Sequence, residues 1–154
     1  MLAVFDIDGV VADVRHRLHH LDRPRSWGAF FDEAADDPLL PQGASLVADL
    51  ARAHDVVWLT GRPEWLRGVT AEWLAAHGLP AGELHMRPSA DRRPARVFKL
   101  GVLGHLAPRG IAAFVDDDGE VVDAAVAAGF PAVLAEWVPR ARALRDAQER
   151  LGRT

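Results

Sequence analysis

The chain has 154 residues and a mass of 16.8 kDa, room for one domain with a buried core and little more. Its 49% hydrophobic and 26% charged residues place it among ordinary globular proteins and outside the disordered class. A formal net charge of −4 excludes a strongly basic nucleic-acid wrapper, the absence of cysteine excludes disulfides, thiolate metal sites and cysteine nucleophiles, and no apolar run reaches the roughly 20 residues of a membrane span.

The chain opens with an apolar run over residues 2–7 that ends in carboxylates, the pattern of a buried strand with polar groups at its C-terminal end. No basic stretch precedes Asp6, which argues against a signal peptide and makes the cytoplasm the expected location, with no membrane partner. Residues 12–42 break the pattern. They hold Arg15, His16, Arg17, His19, His20, Arg23 and Arg25, then Trp27, Phe30 and Phe31, then Asp32, Glu33, Asp36 and Asp37. This reads as a small, partly helical insertion closed by Pro38 and Pro41. A helix is predicted over 44–53, a strand over 56–59, and a turn over Thr60-Gly61-Arg62-Pro63. The spacing of Leu66, Val69, Trp73 and Leu74 predicts a helix over 64–77 stopped by Gly78. A short strand over 84–86, a helix over 94–106, a strand over 111–115, a helix over 121–128 stopped by Gly129, a strand over 132–135 and an Arg-rich helix over 140–151 complete the chain. Strands alternating with helices predict an α/β domain with a mainly parallel sheet, spanning 1–154. Sites in such sheets lie beyond the C-terminal strand ends. Asp6/Asp8, Thr60/Arg62 and Asp116/Asp117 all fall there.

Each cluster has a bland and a chemical reading. Asp6-Ile7-Asp8-Gly9 is either an Asp-based turn or a carboxylate pair, which needs a cation or a shared proton to coexist. Asp116-Asp117-Asp118 is either a solvated helix cap or a set of oxygen ligands suited to Mg²⁺. Thr60-Gly61-Arg62 is either a helix N-cap or a phosphate cradle of hydroxyl, backbone N–H and guanidinium. Seventeen of the eighteen basic residues are arginine and one, Lys99, is lysine. In a chain so biased, a lysine marks a place where a compact ammonium fits and a planar guanidinium does not.

These motifs, in this order (Asp-x-Asp-Gly-Val, Leu-Thr-Gly-Arg, lysine, Asp-Asp), resemble those of the haloacid dehalogenase (HAD) superfamily of phosphotransferases. Over most of the chain, 70–78, His85-Met86-Arg87, Asp91-Arg92-Arg93 and 116–123 are similar to the phosphatase domain of bacteriophage-type polynucleotide kinase/phosphatases, which removes 3′-phosphates from nucleic acid. The P-loop of the kinase half does not occur. Ala95, Asp118 and Ala125 stand where that family commonly has aspartate, arginine and tryptophan. The resemblance implies a Rossmann-like HAD fold with a small cap at 12–42 and a Mg²⁺-dependent phosphomonoesterase working through an aspartyl-phosphate. It makes Asp6 the nucleophile, Asp8 the acid and base, and Thr60 and Lys99 the partners of the phosphoryl group. Mg²⁺ would be held by Asp6, the Asp8 carbonyl, Asp116 and Asp117. Arg62, Arg15 and Arg17 are the candidates for binding substrate.

The substrate implied is a DNA or RNA 3′ end, with a nucleotide or other small phosphomonoester as the alternative. A phosphoaccepting receiver domain also combines an acidic pair with Asp, Thr and Lys. It fits poorly, because here the middle strand ends in Thr60 and its aspartate, Asp55, begins it. Trp27 and Phe30 are expected either to stack on a base or to form the cap's own core. Trp65, Trp73 and Trp137 are expected to pack. Arg87, Arg92 and Arg93 are expected to form a basic rim or a solvated face. His16, His19 and His20 could ligate a transition metal, though arginine neighbours oppose a cation there.

Overall fold

The computed structural model describes residues 1–154. Five strands, β1 (Leu2–Phe5), β2 (Asp55–Pro63), β3 (Glu83–Arg87), β4 (Ile111–Asp116) and β5 (Ala132–Leu134), form one sheet in the order β3-β2-β1-β4-β5. Every pairing is parallel. This is the Rossmann-like α/β architecture expected. The sheet is buried on both faces, so its strands read as continuous apolar runs whose alternate residues serve opposite cores. Ala3, Phe5, Val56 and Trp58 pack on one face with Val47, Trp73 and Leu74. Leu2, Val4, Val57 and Leu59 pack on the other with Phe98, Leu103, Phe114 and Val121.

There are six helices, α1 (Trp27–Asp32), α2 (Pro41–Leu50), α3 (Arg67–Ala76), α4 (Ala95–Leu106), α5 (Gly119–Ala127) and the short α6 (Arg142–Arg145), of which α2 to α5 cover the sheet. None is long and apolar enough to cross a membrane. α2 begins three residues before the expected start because Pro41 sits in its first turn, where a missing N–H costs nothing. α3 is preceded by a 3₁₀ turn, Glu64–Leu66, and ends before Gly78, whose φ of +67° suits glycine. Its inward face differs from the expected one. Thr70 is buried and Val69 is exposed, because Thr70 meets the Arg62 guanidinium beneath the helix.

The expected turn at residues 60–63 is instead a continuation of β2. Thr60 and Pro63 both pair with β3 across a bulge, so the polar turn residues are held in the sheet itself. The C-terminal helix is also shorter than expected. α6 gives way to a π-helical turn over Asp146–Arg150.

The segment between β1 and α2 carries a 3₁₀ helix (Arg15–Leu21), α1, and a 3₁₀ turn (Glu33–Asp36). Its Val14, Leu21, Phe30 and Phe31 build a small separate core with Leu66 and Met86 and with Leu144 and Ala147 of the C-terminal segment. The two chain regions that flank the strand ends are thereby packed together over them.

Candidate active site

Beyond Phe5 the chain leaves the sheet and tightens. The amides of Val10, Val11 and Ala12 all donate to the Ile7 carbonyl, and Gly9 takes φ +76°. A Cβ at Gly9 would lie 2.1 Å from Asp117 Oδ2. Glycine is required because the loops after β1 and β4 touch there. Asp6, Asp8, Thr60, Arg62, Lys99, Asp116 and Asp117 are all buried at one end of the sheet, as is Arg17 of the insertion.

Lys99 comes from α4. Its Nζ donates to Asp6 Oδ2 and to Asp116 Oδ2, both at 2.7 Å. The two carboxylates outweigh the cost of burying the ammonium and raise its pKa. A guanidinium would not fit between them.

Asp8 is held differently. Arg62 donates to its Oδ1 through Nη2 at 2.6 Å and Nε at 2.9 Å, and Arg17 adds Nη2 at 3.3 Å. Burial raises the Asp8 pKa, but Arg62 and Arg17 outweigh it and hold the carboxyl below its usual range. Both arginines are anchored by Asp37. It accepts Arg17 Nε at 2.7 Å and Nη2 at 2.8 Å, and Arg62 Nη2 at 2.8 Å. The Arg17 guanidinium lies 4.3 Å over the Phe30 ring. Asp37 is the residue that sequence reasoning missed. It lay in an acidic run that resembles a solvated surface, and only the returning chain turns it inward.

Thr60 Oγ1 accepts the Arg62 amide at 3.2 Å, which leaves its hydroxyl hydrogen for a ligand. Asp117 borders a cleft of about 520 Å³ that also includes Glu120, Arg140 and Arg145. Asp118 caps α5 through Glu120 N and pairs with Arg140 at 2.5 Å. A cation from the C-terminal segment therefore stands beside Asp118.

The remaining candidates fall at different depths. Arg15 is exposed and pairs with Asp13 at 2.6 Å. Phe30 is fully buried, and Trp27 half-buried, in the small core between the 12–42 segment and the C-terminal segment. Trp73 packs as expected, and half-buried Trp137 bonds the Val10 carbonyl. Trp65 does not pack. It is 58% exposed, because the 3₁₀ turn carries it outward over Phe31. Arg87 is not on a rim either. It is buried and donates to the Gly61 and Arg93 carbonyls. His19, His20 and Glu33 do converge on the cap's surface, whereas His16 turns to Asp37 at 2.7 Å.

The residues fit a divalent cation. Oxygens of Asp6, Asp116 and Asp117 lie within 4.8 Å of one another, and Asp117 Oδ1 is buried without a partner. Burial, reinforced by Asp116, pushes Asp117 well above the usual carboxylate range. Burial likewise lifts Asp6 to about 7 despite Lys99. Positive charge is short at this point, and an all-oxygen donor set suits Mg²⁺.

Fold and site together define a phosphatase of the haloacid dehalogenase type. Residues 1–133 match the family described as the polynucleotide kinase PNKP phosphatase domain, and the chain belongs to that family. Two solved structures of the Pnkp1/Rnl/Hen1 complex, one described as an RNA repair complex, contain chains of similar fold. Both are 22% identical, with TM-scores of 0.71 and 0.69, over 90% and 86% of this chain. This chain spans less than half of theirs, 47% and 42%. A magnesium-bound HAD-hydrolase from Bacillus subtilis shares the fold at 10% identity and a TM-score of 0.60, over 90% of this chain and 91% of its own. A haloacid dehalogenase-like hydrolase from Streptococcus pneumoniae does so at 14% and 0.63, over 94% and 88%. No curated protein matches the chain.

Proposed function

We propose that this phosphatase removes 3′-phosphates from polynucleotide ends through an aspartyl-phosphate on Asp6. The observation that carries the reading is the meeting of Asp6, Thr60, Lys99 and the Asp116/Asp117 pair at the ends of β1, β2 and β4, in a chain of the polynucleotide kinase phosphatase family. The folded unit doing this work is residues 1–154, with 12–42 as its cap.

Asp6 attacks phosphorus, and the bond from phosphorus to the 3′-oxygen breaks. Asp8 gives that oxygen its proton. A water then attacks phosphorus, Asp8 takes the water's proton, and Asp6 departs as a carboxylate. Lys99 neutralises the approach of a carboxylate to an anionic group, and the Thr60 hydroxyl orients a phosphoryl oxygen. Arg62 bridges Asp8 and Asp37. Moving one of its donors to the incoming phosphoryl group frees Asp8 to carry a proton. Arg17 keeps Asp8 aimed, and Arg15 meets substrate farther out. Asp6, Asp116 and Asp117, with the Asp8 backbone carbonyl, would hold Mg²⁺. When bound, the ion supplies positive charge against the phosphoryl oxygens.

Phosphate release from a 3′-phosphorylated oligonucleotide, its 5′-phosphorylated counterpart, a 3′-mononucleotide and an aryl phosphate, with and without Mg²⁺, tests the reading. Mg²⁺-dependent preference for the 3′-phosphorylated oligonucleotide is expected. Equal or better turnover of the mononucleotide or aryl ester would move the substrate to small phosphomonoesters and leave the chemistry in place.

A further inference from the structure

Beside the active site lies a cleft of about 100 Å³ that the mechanism does not use. Trp27, Phe31, Pro63, Trp65, Arg92 and Arg153 line it. Pro63 is the last residue of β2 and follows Arg62 directly, so the cleft adjoins the end of that strand. Three aromatic rings form its wall. Trp27 stacks on Phe31 with ring centroids 6.3 Å apart, and Phe31 meets Trp65 edge-on at 5.5 Å. The Trp65 ring is the large exposed member, and no packing role accounts for it.

The cleft's charge points the same way. Arg92 spends its hydrogen bonds on the Ser89 and Asp91 carbonyls and pairs with no carboxylate. The guanidinium of Arg153 lies 5.0 Å over the Trp27 ring. Burial and then the nearby Arg92 lower its pKa. Arg92 and Arg153 differ from Arg15, Arg67 and Arg93, which pair closely with Asp13, Glu64 and Asp91. Two guanidiniums left over beside an aromatic wall match a ligand that is both anionic and flat.

The backbone joins this cleft to the site. Gly152 packs so tightly on the Arg92 carbonyl that a Cβ would lie 2.2 Å from it, and a Cβ at Gly61 would lie equally close to the Thr154 carbonyl carbon. The segment bearing Arg153 therefore runs from the cleft to Gly61 near the end of β2.

Resting on the polynucleotide reading above, we propose that this cleft binds a nucleotide of the substrate next to the scissile 3′-phosphate. The base stacks on the exposed Trp65 ring, and the phosphodiester lies between Arg92 and Arg153.

Steady-state kinetics on the full chain test this with Trp65→Ala, Trp65→Phe and Arg92→Ala, each checked for unchanged melting. The substrates are a 3′-phosphorylated oligonucleotide and an aryl phosphate. The ratio of kcat/KM on the oligonucleotide to that on the ester is expected to fall about fivefold to a hundredfold in Trp65→Ala, mainly through KM. Trp65→Phe restores most of it. Arg92→Ala lowers the ratio and flattens its dependence on salt. A wild type that prefers the oligonucleotide, with that preference intact in Trp65→Ala, overturns the cleft alone. A wild type indifferent between the two substrates overturns the polynucleotide reading and the cleft with it.

Discussion

Lys99 places one positive charge between two buried carboxylates, at 2.7 Å from each. Replacing it by arginine keeps the charge but needs room for a planar fork in a site with 1% exposure. Lys99→Arg is expected to lose more than about a hundredfold in kcat, and near-normal turnover would show that any cation suffices. Asp6→Asn keeps the shape and relieves repulsion from Asp116 and Asp8. It is therefore expected to abolish phosphate release while melting close to the wild type, which activity and calorimetry on one preparation would check. Asp37 touches no reacting atom, yet it anchors both arginines on Asp8. Asp37→Ala leaves two buried guanidiniums short of a partner, at a cost of about 3–5 kcal/mol, visible as a lower urea midpoint together with reduced kcat. Asp6, Asp8, Thr60 and Lys99 stood out in the sequence because their types and order are unusual at strand ends. Asp37 did not, since its inward turn is set by partners 20 and 25 residues away.

Among the elements, α2 meets the loop after β1 more closely than a side chain allows. A Cβ at Gly43 would lie 1.8 Å from the Val10 carbonyl oxygen. Gly43→Ala must push α2 off the loop that follows Asp8. A loss of about 1–3 kcal/mol is expected from such overpacking, measured by denaturant unfolding, with a fall in kcat as the loop moves. Periodicity predicted most helices and strands but misjudged β2 and the C-terminus. The end of β2 carries turn residues, yet pairing with β3 holds Thr60 and Pro63 in the sheet. In the C-terminal segment, Leu144 and Ala147 join the cap's core, and that contact overrides the regular helix their neighbours would form. Val69 and Thr70 exchanged faces for a similar reason, because a buried guanidinium needs a hydroxyl more than it needs a methyl.

At the scale of the whole molecule, buried acidic groups from two distant regions of the chain, after β1 and after β4, meet at one end of the sheet and lack a full set of partners. A divalent cation binding there should stabilise the native state by mass action, about 2.7 kcal/mol at a hundredfold excess over Kd. For a chain of this size that is a rise in Tm of about 5–10 °C. Thermal melts with Mg²⁺ and then with a chelator would check it, and a melt indifferent to both would refute the site. The α/β class, the parallel sheet and the residues at its strand ends were legible in the residues alone, because these follow from local periodicity and from short motifs within single segments. Only packing settles which buried cation pairs with which carboxylate, that Trp65 faces solvent, and that the C-terminal segment lies against Gly61 near the end of β2. Those outcomes depend on packing and charge between segments far apart in the chain, and no local pattern carries that information.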